Sequence, residues 1–194
     1  MTRILAVSGS PSATSRTVRV ADRVLEMCAG PGVETRHLRA ADLPAEALLR
    51  ADRHAPEILE IFAAVEAADA IVIATPIFNA AYSGLLKALL DVLPQFAFAG
   101  KAVLPLATGG SLAHVLALDY GLRPVLQSMG ARHIVQSYFV PEQHMHITDG
   151  RFDLDAASLA PLEEAVYHLK ISLGLVPTDV LLGHPRPQRH RASA

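Results

Sequence analysis

The fold is decided at Arg3–Pro11, where the sequence reads RILAVSGSP. Four apolar residues, from Ile4 to Val7, are followed directly by a turn of serine, glycine and proline. A short, uninterrupted apolar run is typical of a parallel strand that is buried on both faces and ends in a loop. We therefore predict that the chain begins with a strand of a parallel sheet.

Strands and helices alternate along the rest of the chain. The predicted strands are Arg3–Val7, Val33–Leu38, Asp69–Thr75 (which Pro76 ends), Lys101–Ala107 and His133–Phe139. The predicted helices are Ser15–Cys28, Pro56–Ala68, Ala81–Leu93, Leu112–Met129 and Leu159–Leu173. This alternation predicts an α/β fold with helices on both faces of a parallel sheet. Because crossovers are right-handed, few topologies remain, and we expect a five-stranded sheet in the order 2-1-3-4-5.

The composition excludes several classes of protein. The chain has 194 residues, 51% hydrophobic and 19% charged, with a mean hydropathy of +0.30. Such a chain is not disordered, and it favours one domain with a large core, an apolar subunit interface, or both. The 17 basic and 19 acidic residues give a formal charge of −2. We therefore expect no binding to nucleic acid or to an anionic membrane, and a strongly acidic electron carrier is disfavoured.

The two ends of the chain predict its location and its domain limits. The first apolar run is too short for a secretion signal, and no stretch approaches the ~20 apolar residues of a membrane span. We therefore expect a soluble cytoplasmic protein with a domain over residues 1–175 and a tail over residues 176–194. The tail carries Arg186, Arg189, His190 and Arg191. We expect these side chains to be solvated; docking on a neighbouring subunit or on the phosphate of a ligand is the alternative.

Neither the single cysteine nor the histidines of the chain predict a metal site. Cys28 lies in an apolar stretch and has no partner for a disulfide, so a buried, inert thiol is expected. His144-Met145-His146 suggests metal ligands, but no Asp, Glu or Cys stands beside it at the spacing of a structural site. A solvated loop is the favoured interpretation, and we expect no bound metal.

Three turns of the predicted sheet meet at one edge. In doubly wound sheets, ligands bind outside the carboxyl ends of the strands, where the strand order reverses. In this chain, that edge carries Gly9–Thr17 after the first strand, Thr75–Asn79 after the third and Thr108–Ser111 after the fourth. These turns are the candidates for a binding site.

The first turn has the chemistry of a phosphate site. It opens a helix, whose first N–H groups are unpaired and favour an anion. Hydroxyl and guanidinium donors are added by Ser10, Ser12, Ser15, Arg16 and Thr17. The turn matches neither the dinucleotide nor the Walker pattern, so one terminal monophosphate is favoured over a pyrophosphate or a triphosphate. The alternative is that these serines and threonines only cap the helix.

The other two turns predict a flat slot beside that phosphate. Pro76 imposes an extended exit, after which Ile77, Phe78 and Asn79 can line an apolar slot with polar edges. Gly109 and Gly110 allow close approach of the backbone to a ligand. Each turn alone also fits a plain loop, with Phe78 in the core or glycines that only permit the turn. Together the three turns suit a planar ligand with one phosphate, such as flavin mononucleotide (FMN).

Sequence motifs in these turns resemble a known family. Gly9-Ser10-Pro11, Ser15-Arg16, Ala74-Thr75-Pro76, Ala80–Gly84 and Leu86-Lys87 resemble the NAD(P)H-dependent FMN reductases. Within that family, the reductase component of two-component alkanesulfonate monooxygenase systems is similar at Val103–Gly110, Ala113-His114, Asp119-Tyr120 and Pro124–Leu126. The similarity runs in order from about Ile4 to Phe139, whereas the last residues match only loosely.

The resemblance implies a flavodoxin-like fold and a function. NADPH or NADH would reduce FMN, which is held more as a substrate than as a permanent group, and a separate FMNH2-dependent monooxygenase would receive the product. It also implies a homotetramer built as a pair of dimers. The residues implied to bind FMN are Ser10, Ser15, Arg16 and Thr17 at the phosphate, Pro76, Ile77, Phe78 and Asn79 beside the isoalloxazine ring, and Thr108, Gly109 and Gly110 near its pyrimidine edge. Hydride transfer needs no general acid or base, so no catalytic residue is assigned.

Two departures from the family pattern qualify that transfer of residue roles. Ser12 stands where close relatives tend to have arginine, and Phe78-Asn79 where relatives often have tyrosine followed by a basic residue or asparagine. Tyr120 matches a tyrosine inserted in this subgroup, which creates a π-bulge in an interface helix; the alternative is an ordinary interface aromatic. Two other functions stay open: a quinone or azo-compound reductase with tightly bound FMN, and a non-enzymatic FMN-binding electron carrier or regulator.

Overall fold

A parallel β-sheet forms the centre of the molecule. The computed structural model describes residues 1–176. The strands are β1 (Thr2–Ser8), β2 (Val33–Arg39), β3 (Ala70–Phe78), β4 (Ala81–Tyr82), β5 (Ala102–Gly109), β6 (His133–Ile134), β7 (Tyr138–Pro141), β8 (Met145–Thr148) and β9 (Arg151–Leu154). The α-helices are α1 (Arg16–Cys28), α2 (Ala45–Leu49), α3 (Pro56–Ala67), α4 (Gly84–Val92), α5 (Arg123–Ser128) and α6 (Ala156–Ser172).

The strand order confirms the predicted flavodoxin-like topology. The parallel strands run β2-β1-β3-β5, and β5 then pairs with both β6 and β7. This is the order 2-1-3-4-5 with the fifth strand divided into two pieces. The predicted continuous strand His133–Phe139 is therefore wrong in detail. The division coincides with Arg123, whose guanidinium donates to the carbonyls of Ile134 and Val135 and to the hydroxyl of Ser137.

Successive residues of the strands pack into two cores, one on each face of the sheet. Ile71 and Ile73 belong to the core that α3, α4 and α5 cover, whereas Ala70 and Val72 belong to the core under α1 and α6. Both faces are buried, which is why these strands read as unbroken apolar runs. Cys28 ends α1 in the second core, and burial raises the pKa of its thiol to about 11. The expected burial of the thiol is confirmed.

Proline 76 does not end the third strand. β3 continues to Phe78 and turns back through Asn79 and Ala80 into the short antiparallel β4, so the predicted helix Ala81–Leu93 begins only at Gly84. β1 pairs with β3 only as far as Ala74. Pairing with β4 begins only at Ile77, so Pro76 lies between the two ladders, where a residue without an N–H group is tolerated.

The predicted helix Leu112–Met129 is divided into three segments. A 3₁₀-helix covers Leu112–His114, a π-helix covers Ala117–Leu122, and α5 follows. The N–H group of Arg123 donates to the carbonyl of Leu118, five residues earlier. Pro124 has no N–H group to offer the carbonyl of Tyr120, four residues earlier, so the α-helical pattern cannot continue through this point.

The segment after the sheet is a hairpin and not a loop. His144 ends a 3₁₀-turn, and Met145 and His146 begin β8, which pairs with β9. His144 Nδ1 lies 2.8 Å from the hydroxyl of Ser158, and His146 Nε2 lies 2.8 Å from a carboxylate oxygen of Asp155. The prediction of a loop is therefore wrong, because Met145 and His146 belong to a strand, while the side chain of His146 is 53% exposed.

Two predictions concern the chain as a whole. Among residues 1–176, no helix combines the length and the apolar character that crossing a membrane requires. The predicted tail over residues 176–194, with its arginines, lies outside the described residues apart from Val176. The division of the chain into a domain and a tail therefore stays a prediction.

Candidate functional site

The three turns lie side by side at the carboxyl edge of the sheet. Ser8 at the end of β1 pairs with Ala74, and Pro76 pairs with Thr108 at the end of β5. The N–H group of Gly9 donates to the carbonyl of Ala74 over 2.8 Å. The predicted residues of the first, second and third turns are thus brought to one edge.

The first turn combines a helix cap with unused donors. Ser15 caps α1, its hydroxyl accepting from the N–H group of Val18 at 3.2 Å. The capping interpretation is therefore correct for Ser15, but other donors of the turn do not take part in the cap. The N–H groups of Arg16 and Thr17, in the first turn of α1, have no acceptor within the helix. The guanidinium of Arg16 is half-exposed and reaches the same region.

Thr17 and Thr108 link the first turn to the third. Their hydroxyl oxygens lie 2.6 Å apart, and both side chains are buried. Ser10 is also buried, and its hydroxyl accepts from the N–H group of Ser12 at 3.3 Å. The predicted phosphate-binding Thr17 is thus engaged with Thr108, whereas Arg16 projects from the edge of the loop.

Ser83 holds the first turn against the second, a role that the sequence analysis missed. Its hydroxyl donates to the carbonyl of Gly9 at 2.6 Å and accepts from the N–H group of Leu86 at 3.1 Å. Its own N–H group donates to the hydroxyl of Thr75 at 2.9 Å. A serine directly before an apolar helix signals a cap, but nothing in the sequence indicates the bond to Gly9.

His37 supports the end of β1, and the sequence analysis missed this residue as well. Its Nδ1 lies 2.6 Å from Asp22 Oδ1 of α1, and its Nε2 lies 2.9 Å from the hydroxyl of Ser8. Ser8 is fully buried, so this serine, histidine and carboxylate do not form an accessible nucleophile. They connect β1, β2 and α1 directly beneath the first turn.

The second turn is a tight hairpin. Pro76 and Ile77 are buried, whereas the side chain of Phe78 is 51% exposed. Asn79 and Ala80 both have positive φ angles, 49° and 65°. The alternative of a plain loop with Phe78 in the core is wrong, because the hairpin leaves this side chain exposed at the edge of the sheet.

The hairpin predicts a stabilising substitution. Ala80 adopts a left-handed conformation at φ 65°, which costs an L-residue with a Cβ about 1 kcal/mol and glycine almost nothing. Ala80→Gly should therefore raise the free energy of unfolding by about 0.5–1 kcal/mol in urea denaturation. Ala81→Gly, in the adjoining strand β4, is the matched control and should lower it; a loss of stability in both variants would contradict the strain at Ala80.

The third turn is tightly packed at its first glycine and open at its second. A Cβ on Gly109 would lie 3.1 Å from Cζ of Phe139, so a side chain there would push on a buried ring. Gly110 is exposed, and a Cβ built on it would lie 3.9 Å from Oε2 of Glu142. The same carboxylate oxygen lies 3.8 Å from Nη1 of Arg16. Glu142, missed by the sequence analysis, thus stands between the first and third turns.

Tyr120 lies apart from these turns, on the π-helix. Its side chain is 79% exposed, and the preceding segment also exposes apolar side chains. The exposed residues are Leu112, Val115, Leu116 and Tyr120, which we call the π-helix surface. The ring of Tyr82 packs 3.8 Å from the position of a Cβ on Gly121, so this helix is held against β4.

The residues of this edge fit a flavin monophosphate. The first turn offers hydroxyl groups, a guanidinium and the N–H groups that begin α1, which is the donor set of a phosphate monoester site. Beside it, Pro76 and Ile77 are buried near the end of β3, and the exposed Gly110, which follows β5, has no side chain to block the approach of a ring. A parallel α/β sheet with such an edge is typical of flavodoxin-like proteins, which bind FMN outside the carboxyl ends of their strands.

Comparisons with known proteins identify the family within that class. The family model described as NADPH-dependent FMN reductase matches residues 2–145. The chain is 40% identical over 147 residues to an FMN reductase (NADPH) of Pseudomonas putida, covering 76% of this chain and 75% of that protein. It is 40% identical over 143 residues to an FMN reductase (NADPH) of Escherichia coli, covering 74% and 75%. The chain belongs to the NADPH-dependent FMN reductase family, and the resemblance described above is confirmed.

A solved structure agrees with this assignment. The apo form of an NADH:FMN oxidoreductase (EMOB) superposes with a TM-score of 0.82 at 48% identity, covering 96% of this chain and 98% of that one. The protein is thus an oxidoreductase whose substrates are FMN and NADPH or NADH.

Proposed function

We propose that the protein takes FMN from solution, reduces it with NADPH or NADH, and releases the product to a separate FMNH2-dependent monooxygenase of the alkanesulfonate type. The observation that carries this proposal is the character of the phosphate site. Arg16 is the only charged residue of Gly9–Thr17, and its half-exposed guanidinium is already beside Glu142. One exposed cation suits a flavin that exchanges. The motifs from Val103 to Leu126 support the alkanesulfonate assignment.

The proposed roles of the site residues follow from their places at the edge. Ser10, Ser15, Arg16 and the start of α1 at Thr17 bind the phosphate. The segment Pro76–Asn79 lies along one side of the ring. Thr108 to Gly110 lie at the pyrimidine edge of the ring, where their N–H groups stabilise the negative charge that develops on the flavin during reduction.

The protein's contribution to the reaction is positional. When bound, FMN accepts a hydride from the nicotinamide, and this chemistry belongs to the two cofactors. The chain holds the phosphate so that the ring has one orientation, and the buried edge at Pro76 and Ile77 excludes water from one side of it. No side chain is required to move a proton.

We further propose that the π-helix surface forms a contact between subunits of a homotetramer. Four exposed apolar side chains follow closely along one segment there, and contiguous apolar surface marks interaction sites. Tyr120 is the most exposed of the four. π-Helical turns of this kind occur frequently at functional sites.

Anaerobic kinetics test the proposed reaction. Oxidation of NADPH and of NADH should require added FMN and saturate with its concentration, since the protein does not retain the flavin. A quinone supplied without FMN should not be turned over. A yellow purified protein that reduces the quinone with no added flavin would contradict the proposal and favour the alternative reductase with tightly bound FMN.

A further inference from the structure

The position of Glu142 is imposed by the sheet. β7 pairs with β5 in a register that sets Pro141 opposite Gly109. Glu142 directly follows β7 in the chain, and it therefore lies beside Gly110. From there its Oε2 reaches within 3.8 Å of Nη1 of Arg16. One carboxylate thus lies between the first turn and the third.

The Glu142 carboxylate partly neutralises the positive charge of Arg16, which would attract a phosphate. No other charged residue occurs in Gly9–Thr17, so Glu142 offsets the one cation of the turn. The two side chains are 49% and 50% exposed, and an ion pair this exposed contributes little to stability. The effect of the Glu142 carboxylate on a dianionic ligand is larger, because a phosphate beside Arg16 must share the guanidinium with it. The two negative groups would then lie well within the ~10 Å over which 0.1 M salt screens charges, so they repel each other.

We propose that Glu142 is an affinity-limiting residue, whose carboxylate weakens the hold of Arg16 on the phosphate of FMN and so keeps the flavin exchangeable. The inference rests on the proposed contact between Arg16 and that phosphate. Glu142 acts through Arg16 and through its charge, and it does not touch the reacting atoms. It thus favours exchange of the flavin over its retention.

Titration of flavin fluorescence with the full chain tests this role. Glu142→Gln keeps the size of the side chain and removes its charge. We expect the dissociation constant for FMN to fall about fivefold at low salt and the gain to shrink at high salt. Riboflavin has the same ring without the phosphate, so its affinity should not change. Glu66→Gln is the matched control: Glu66 ends α3 at the opposite edge, where its carbonyl accepts from Lys101, and neither flavin should respond.

Arg16→Gln separates this inference from the proposed function. It should weaken FMN binding and leave riboflavin binding unchanged, and in its presence Glu142→Gln should have a smaller effect on FMN. If Arg16→Gln weakens FMN binding while Glu142→Gln does not tighten it, the role of Glu142 is wrong and the phosphate contact stands. Equal tightening of FMN and riboflavin would also overturn it, since that result indicates a structural effect. If Arg16→Gln leaves FMN affinity unchanged, both the role of Glu142 and the contact between Arg16 and the phosphate are wrong.

Discussion

Gly9→Ala should destabilise the protein by about 3 kcal/mol and lower its affinity for FMN about tenfold or more. A Cβ on Gly9 would lie 2.4 Å from the Cβ of Leu86 and 2.8 Å from the hydroxyl oxygen of Ser83. Leu86 is fully buried in α4, so it cannot move aside without shifting that helix. The first turn must then move away from α4, and its donors lose their positions.

Urea denaturation and flavin titration measure the two effects. Gly30→Ala is the matched control, because a Cβ on Gly30 meets no atom within 4 Å and its φ is not positive. That variant should change the free energy of unfolding by no more than about 0.5 kcal/mol. If Gly9→Ala behaves like Gly30→Ala, the tight contact between the first turn and α4 does not exist in solution.

Ser83→Ala should destabilise the protein by about 3 kcal/mol, the sum of two losses. Removing the hydroxyl deprives α4 of its N-cap, which costs about 1 kcal/mol. It also leaves the buried carbonyl of Gly9 without the donor now 2.6 Å away, which costs about 1–3 kcal/mol. Because Gly9 begins the first turn, FMN binding should weaken as well.

Ser128→Ala provides the comparison for this prediction. The hydroxyl of Ser128 is exposed and donates only to the carbonyl of Val125 in its own helix, at 2.7 Å. Its removal should cost no more than about 0.5 kcal/mol in the same denaturation experiment. Equal losses in the two variants would mean that the bond from Ser83 to Gly9 contributes nothing to the site.

Local patterns were sufficient to predict most of the sheet. Two strands are buried on both faces, at Ile4–Val7 and at Ile71–Thr75. A strand buried in this way is apolar at nearly every position, so it can be recognised from the sequence alone. Helix α1 was also predictable from local sequence, because its apolar residues recur at helical spacing; Val18, Val24 and Cys28 are all buried. The strand order followed because right-handed crossovers leave few arrangements.

Elements whose shape depends on distant residues were predicted poorly. The fifth strand divides where the guanidinium of Arg123 donates hydrogen bonds to the carbonyls of Ile134 and Val135. No periodicity in the sequence indicates this contact. The predicted long helix is divided for a local reason, since Pro124 in the first turn of α5 has no N–H group for the carbonyl of Tyr120. The resemblance indicated a π-bulge at Tyr120, and the structure has a π-helix over Ala117–Leu122. Its role in assembly stays a prediction.

The same division holds for the candidate site. The glycines, hydroxyls and Arg16 of the three turns are visible in the sequence because they cluster at strand ends. Ser83 and His37 are not, since they act across 74 and 29 residues on Gly9 and Ser8. Glu142 is hidden for a related reason, because only the register of β7 against β5 brings it to Arg16.

A crystal structure of the protein with FMN tests the central claim most directly. We expect the phosphate at the start of α1, within hydrogen-bonding distance of Arg16, and the ring between Pro76–Asn79 and Gly109–Gly110. A flavin bound elsewhere would contradict the account, for example in the cavity of about 510 Å³ at the opposite edge of the sheet, which Lys101 and Arg132 help to line.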